Sequence, residues 1–474
     1  MIIFFVLVTA SIPCGHNFTY MKKRKNSIVR GAASLGAGAF IAKLLGALYR
    51  MPLTNLLGGF GLGLYQMVFP VYALLLDFSG AGVPSALSKI ISSVNEKDRL
   101  NNARNYLTAS VKLLSIFGVI GALLMGALSK PLAILQGNPD AFSAYVALAP
   151  AIFFVSLISC YRGYFQGLMR MNPTALSQIT EQIIKLCFGL IFARLFLPNV
   201  PLAVAGATFA ITLSEIVAFI QLYITFNVHK RKEKQVFIFD NSLFKPLAKT
   251  IIKNTVPITL IGIILPLSNV IDSFLVVNVL SAYRTDAVSL YGILSGVVTT
   301  VINLPVSICY GVATSAIPAV AAETDSINQR TAIKKAITLT LIFALPCTAV
   351  MAVASPLIIK ILFGGLSAEE AFTAQRLLTF LSVNVTLLSL LQTLNAVLIG
   401  CGKLLSPIKS LGIGVLVKTA LNLILLKIPE INIYGGAVAV IACYFTACLI
   451  NLFMIFKMKV KNADKRIVNR EYAS

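Results

Sequence analysis

Tryptophan is absent from this 474-residue chain, histidine occurs twice, and 17 acidic residues stand against 40 lysines and arginines. The two histidines, His16 and His229, lie in polar segments, so histidine catalysis or a histidine metal site has no basis here. The eight cysteines stand singly, most of them in apolar runs, and no CxxC pair occurs. That pattern excludes a disulfide framework and a zinc site. A phosphate loop of the form GxxxxGKS/T is missing, as are HExxH and GxSxG. No enzyme reading survives these absences, and no organic cofactor is called for.

Charge is scarce as well: 12% of residues are charged, against roughly 25% in soluble domains. Hydrophobic residues make up 57%, and the mean hydropathy is +0.86. No water-soluble fold of this size could hide so much apolar surface, so lipid must be the solvent for much of the chain. In hydrocarbon the backbone has to satisfy its own hydrogen bonds, which leaves helices or closed barrels. The apolar runs reach about 20 residues or more and lack the alternation of barrel strands, so the chain is an all-α membrane protein. Without tryptophan, tyrosine has to supply most of the interfacial anchors. A net charge of +23 would suggest nucleic acid in a soluble protein. Here the basic residues alternate with apolar runs, where they orient the chain and meet anionic membrane lipids. Nucleic acid is therefore not an expected partner.

Apolar windows place spans near 28–50, 62–88, 104–128, 142–166, 175–197, 201–226, 251–280, 287–321, 332–354, 372–400, 405–427 and 433–456, about twelve transmembrane helices. Lys and Arg gather before the first span (Lys22, Lys23, Arg24, Lys25) and after each even-numbered one. Lys89 and Arg104 follow the second span, Arg162 and Arg170 the fourth, Lys230 to Lys249 the sixth, and Lys457 onward the last. The alternate loops carry scattered single charges: Lys130, Arg194, Arg284, Lys360 and Lys427. The positive-inside rule then puts both termini in the cytoplasm of a cell whose plasma membrane the chain crosses repeatedly. Met1 to Pro13 is apolar with no basic residue ahead of it, and Met21 opens Met-Lys-Lys-Arg-Lys. Residues 1–20 thus read as an upstream extension, with translation starting at Met21.

The polar, basic segment 227–249 divides the chain into similar lengths, and the two lengths echo each other. SKPLAILQG (129–137) answers ASPLIIKILFGG (354–365), NPTALSQITEQIIK (172–185) answers SPIKSLGIGVLVK (406–418), and VAGATFAI (204–211) answers YGGAVAVI (434–441). The offset is about 225 to 235 each time. Six spans per copy give repeats of the same orientation. The expected organisation is an N-terminal six-helix lobe over 21–226, a cytoplasmic linker over 227–249, a C-terminal six-helix lobe over 250–456 and a basic cytoplasmic tail over 457–474.

The glycine run from Gly58 to Gly63 reads as a flexible hairpin outside the membrane. More telling are ionisable residues within spans, because a charge at the bilayer centre costs about 2.5–3.5 kcal/mol and faces a cavity or a partner. They are Lys43 and Arg50 in the first span, Asp77 in the second, Glu181 and Lys185 in the fifth, Glu215 in the sixth, Asp272 in the seventh and Lys418 in the eleventh. Glu181 and Lys185, one turn apart, either neutralise each other or serve a cargo. Arg162 stands near a span end, where snorkelling explains it as well as function does. Lys43, Arg50, Lys185 and Lys418 would make a central cavity cationic and suited to an anionic, phosphate-bearing cargo. Lys185 and Lys418 occupy matching places in the two copies. Asp272, Glu215 and Asp77 are candidate sites for a coupling sodium ion or proton.

The stretch IVRGAASLGAGAFIAKLLGALYRMPLTNLLGGFGLGLYQMVFPVYALLLDFSGAGVPSALSKIIS resembles the start of the polysaccharide transporter and stage V sporulation protein B group. That group lies in the multidrug/oligosaccharidyl-lipid/polysaccharide (MOP) exporter superfamily, with the lipid II flippases. YRGYFQGLMRMNPTALSQITEQIIK and LIGCGKLLSPIKSLGIGVLVKTALNLILL strengthen the likeness, which runs from Met21 onward. The resemblance implies two six-helix lobes in a V around a central cavity, working by alternating access. It implies flipping of an undecaprenyl-pyrophosphate-linked saccharide, with cell-wall synthesis enzymes as candidate partners. It sets Lys43 and Arg50 near basic positions of the first helix, Asp272 where some flippases hold sodium, and Asn422 near an amide position on the eleventh helix. The chain departs from the group in carrying Lys43 where arginine is usual and in having twelve spans where many relatives have fourteen. The runner-up reading is a cation-coupled multidrug antiporter of the same fold.

Overall fold

The computed structural model describes residues 22–94, 99–232, 239–322, 326–403 and 405–457. The start at Met21 and nearly all of the basic tail lie outside the described residues. The described chain is helical, and it falls into two compact units: one takes in residues up to Leu57 and Leu64–Val270, the other Gly58–Gly63 and Ile271 onward.

The first unit begins with α1 (Lys22–Leu76), whose 55 residues contain Pro52 and Pro70 and break direction at Gly58. Beside Pro70, the carbonyl of Met67 accepts a hydrogen bond from Gln136 Nε2 at 2.9 Å, and the Tyr145 hydroxyl donates to Gln136 Oε1 at 2.5 Å. A polar side chain thus serves a backbone group where a proline disturbs the ladder, as hydrocarbon requires. A π-helical turn (Asp77–Ala81) leads to α2 (Val83–Ser92), followed by α3 (Arg99–Ala127), the short α4 (Ser129–Leu135), α5 (Phe142–Gly167), α6 (Asn172–Phe196), α7 (Val200–Lys232) and α8 (Phe244–Gly262). The helix α5 is the hub, packed on α2, α3 and α7. Leu87, Ile91, Leu107, Tyr164, Phe165, Leu222 and Ile251 form one buried cluster at its end. Ile251 belongs to α8, which explains why α8 packs with the first unit although it follows the 227–249 linker. Arg104, counted above with the loop charges, lies inside α3 and is 1% exposed.

The second unit receives α9 (Ile264–Ser281) from Ile271 on, then α10 (Ala287–Gly292), which runs through a π-helical segment (Ile293–Val298) into α11 (Thr299–Ala322). After these come α12 (Ser326–Val353), α13 (Ser355–Leu362), α14 (Ala368–Leu381), α15 (Val383–Gly400), α16 (Ser406–Leu425) and α17 (Tyr434–Phe456). Small polar residues join its helices side to side: Thr340 with Thr393 at 2.7 Å, Thr348 with Thr386 at 2.7 Å, and Asn451 with Asn395 at 2.7 Å. In lipid, where apolar faces gain little by meeting, such pairs contribute about 0.6 kcal/mol each and fix which helix meets which.

The glycine run is not a hairpin. Gly58 has φ 65° and marks a kink, and Gly59 to Gly63 continue as helix. This segment lies against α10: a Cβ on Gly63 would stand 2.7 Å from Val288 Cγ1, and one on Gly292 would stand 2.8 Å from Gly63 Cα. These glycines allow two backbones to touch, which is packing rather than flexibility.

Large apolar side chains face outward along the helices: Leu123 is 66% exposed, Leu416 71% and Val353 84%. In water such surfaces would be sites of aggregation, and only lipid can cover them. Ten helical runs are long and apolar enough to cross a membrane. The difference from the expected twelve has two sources. The first two spans are joined in a single run, Ile41–Ser92, in which two helices meet across the non-helical kink at Gly58. The fifth, α6, is not among the ten; it carries Glu181, Lys185 and Arg194. The internal echo is visible element by element: α4 and α13 are matching short helices, and α6 and α16 both start with proline in their first turn.

Candidate functional site

Two clusters of ionisable side chains lie within the helices, one in each unit. In the first unit α1 and α6 cross closely. A Cβ on Gly38 would come within 2.7 Å of Ala175 Cβ, and one on Gly189 within 2.7 Å of the Tyr49 ring. This close crossing brings Lys185 of α6 over the rings of Tyr49 and Phe69, its Nζ 5.4 and 5.7 Å from their centroids. Arg50, next along α1, sets its guanidinium 5.9 Å from the same Phe69 ring. Two half-buried cations therefore converge on one aromatic face, a contact that ring quadrupoles favour. Lys43, two turns before Arg50 on α1, is exposed.

Behind these cations lies a carboxylate group. Glu181 Oε2 pairs with Arg162 of α5 at 3.0 Å, and Arg162 Nε donates to Ser177 Oγ at 3.0 Å. Gln182 Nε2 donates to Glu181 Oε1 at 3.2 Å, and the Glu215 carboxyl of α7 lies near that of Glu181. Of the two alternatives for Glu181 and Lys185, mutual neutralisation is not what the structure shows: Glu181 turns across to Arg162, and Lys185 turns to the aromatic rings. Arg162 is a partly buried partner and not a snorkelling residue, its side chain being 16% exposed. Asp77 lies apart on the π-helical turn, partly buried and opposite Gly262.

In the second unit, Asp272 of α9 meets Lys418 and Asn422, one turn apart on α16. Lys418 Nζ is 2.5 Å from Asp272 Oδ2, and Asn422 Nδ2 donates to Asp272 Oδ1 at 3.1 Å. Lys418 is 6% exposed and Asn422 1%. The Asn422 amide turns its nitrogen toward the acid, and its Oδ1 has no hydrogen-bond partner. Tyr291, hydrogen-bonded with Ser273 and Ser295, and Cys443 stand nearby. The two lysines at matching places are thus not equivalent: Lys185 lies on rings, and Lys418 lies on an acid.

A family model described as "Polysaccharide biosynthesis protein" matches residues 28–324, more than half of the chain. The chain belongs to the polysaccharide biosynthesis protein family. Among curated relatives it is 27% identical over 472 residues to the lipid II flippase MurJ of Bacillus subtilis (strain 168), covering 94% of this chain and 85% of that protein. It is 24% identical over 445 residues to stage V sporulation protein B of the same organism, covering 92% and 84%. Among solved structures it matches an inward-facing multidrug resistance MATE family transporter of the MOP superfamily with a TM-score of 0.74 at 16% identity, over 97% of this chain and 99% of that one. It matches lipid II flippase MurJ in an inward closed conformation with a TM-score of 0.70 at 16% identity, over 91% and 89%. This polysaccharide biosynthesis family member is thus a multi-pass membrane protein with the MOP fold.

The resemblance implied a sodium ion at Asp272. Among the described residues no group of three or more His, Cys, Asp or Glu could hold a metal ion. At Asp272 the single carboxylate already carries an ammonium on one oxygen and an amide on the other. A sodium ion on the same carboxylate would sit about 4 Å from that ammonium, a repulsion of about 4 kcal/mol at an effective dielectric of 20. The residues present do not fit sodium. Ser177 and Tyr49 escaped the sequence reading because those residue types are ordinary in membrane helices, and Arg162 was left open there between snorkelling and function. The spacing of Ser177 and Glu181 at i, i+4 was the available signal that one partner serves both.

Proposed function

We propose that this chain is a flippase or exporter that moves an undecaprenyl-pyrophosphate-linked saccharide from the inner to the outer leaflet by alternating access. The cargo would be a peptidoglycan precursor such as lipid II or a polysaccharide repeat unit. Family membership and the MurJ and stage V sporulation protein B relatives support this reading. The observation that carries it is the convergence of Arg50 and Lys185 on Phe69, both cations half-buried, on α1 and α6. Cations held there suit a pyrophosphate, which takes guanidinium forks and ammonium donors well. Lys43, on the same helix, extends the basic track. Both termini are cytoplasmic, and the basic segments on that side meet anionic lipid headgroups. Sodium does not fit Asp272, and Glu215 and Asp77 are the acids proposed to couple transport to a proton.

The test is flipping in reconstituted vesicles, with fluorescent lipid II and a plain lipid-linked oligosaccharide offered separately. Arg50→Ala and Lys185→Ala are each expected to lower the flipping rate at least tenfold with the protein still folded. Unchanged rates in both variants would remove the cationic site from the mechanism. The cation-coupled drug antiporter has the Glu181–Glu215 pair in its favour, since paired acids suit a cationic cargo. Drug efflux in the same vesicles, with neither lipid flipped, would establish that reading instead.

A further inference from the structure

The second unit sets an amino group against the acid that the resemblance marked as a sodium position. We infer that Lys418 is a tethered cation: its ammonium permanently occupies the Asp272 site and makes the protein indifferent to sodium. Three observations meet here. Lys418 Nζ lies 2.5 Å from Asp272 Oδ2, at ion-pair contact. Both partners are withdrawn, with side-chain exposures of 8% for Lys418 and 18% for Asp272, so water screens the pair weakly. Asn422 completes the acid's contacts through nitrogen, leaving its own Oδ1 buried and without a partner. An amide that served a metal ion would turn its oxygen to the metal. Lys418 thus neutralises and positions Asp272, and the spare amide oxygen is the trace of a site with two oxygen donors. Removing the ammonium while keeping the side-chain volume should uncover that site. Asp272 and the Asn422 oxygen would then receive a sodium ion that the native chain refuses.

The experiment needs no cargo, so its failure leaves the flippase reading standing, and the absence of flipping would leave this inference untouched. The purified full chain in detergent is melted in sodium, potassium and choline chloride at equal ionic strength. The wild type is expected to melt identically in all three. Lys418→Met is expected to gain a rise of about 3 °C or more in sodium alone. Adding Asp272→Asn should abolish that gain. A sodium-specific rise in the wild type that Asp272→Asn removes would overturn the proposal. So would a folded Lys418→Met protein without a sodium response. Should the methionine variant not fold, the wild-type comparison still decides: a sodium-specific shift refutes the tethered cation, and coincident curves support it.

Discussion

At the scale of single residues, the group around Glu181 has a definite logic. Arg162 ties the acid to α5, and Glu215 reaches it from α7. Two carboxyl groups held close together repel each other when both are ionised. The pair is therefore a natural place to hold and release a proton. Glu215→Gln preserves shape and can still donate an N–H to Glu181, so the fold should survive while the exchangeable proton is lost. Its transport rate is expected to fall about tenfold and to lose its dependence on pH, as read from flipping at a series of pH values. A variant with the wild-type pH profile would move proton handling elsewhere. Arg162 works differently, because removing it strands Glu181 within the helices. Arg162→Ala should destabilise the protein by about 3 kcal/mol, measured by thermal or denaturant unfolding in detergent. Replacing Arg162 and Glu181 together with leucine should recover most of that loss, because no lone charge then remains. The helix that carries each of these residues was legible in the sequence and their partners were not. A hydropathy window tells how far along a span Glu181 lies. It does not tell whether the side chain turns to Lys185 on its own helix or to Arg162 on another.

At the scale of elements, the same limit explains the glycines. Gly58 to Gly63 has the composition of a loop, and only the neighbouring backbone of α10 shows why side chains are missing. Any Cβ at Gly63 meets backbone atoms of Val288, and any Cβ at Gly292 meets Gly59 and Gly63. Backbone cannot rotate aside as a flexible side chain would. Gly63→Ala and Gly292→Ala should each cost about 1–3 kcal/mol through forced separation of the two segments. Gly412 is the control, because a Cβ there meets nothing within 4 Å. Gly412→Ala should change stability by no more than about 1 kcal/mol, in the stabilising direction expected of alanine in a helix. Equal losses at Gly63 and Gly412 would return the glycine run to a role in flexibility. What periodicity and length did make legible was the set of long helices and the repeat. The pairs α4 with α13 and α6 with α16 keep their order because proline and serine at a helix start act locally, through the chain itself.

At the scale of the whole molecule, orientation rests on loop charge, and each loop can be interrogated separately. The segment leading into α8 should face the cytoplasm, because it follows the densest basic stretch between spans, from Lys230 to Lys234. The short segment before α5 and the start of α14 should face outward. A set of single cysteines tests this, made after replacing the eight native ones. Ser242, Asp140 and Glu369 are all exposed; Ser242 and Glu369 lie outside the long apolar runs, and Asp140 is the second residue of one, Pro139–Gly167. In intact cells a membrane-impermeant maleimide should label Asp140→Cys and Glu369→Cys, and should reach Ser242→Cys only after permeabilisation. The opposite pattern would invert the molecule and with it the direction assigned to transport. Asp140 and Glu369 stand at corresponding points of the two repeats, ahead of α5 and within the first turn of α14. Parallel repeats require them to label alike, whereas inverted repeats would put them on opposite sides. One labelling experiment therefore tests both the orientation of the chain and the sense of its internal duplication.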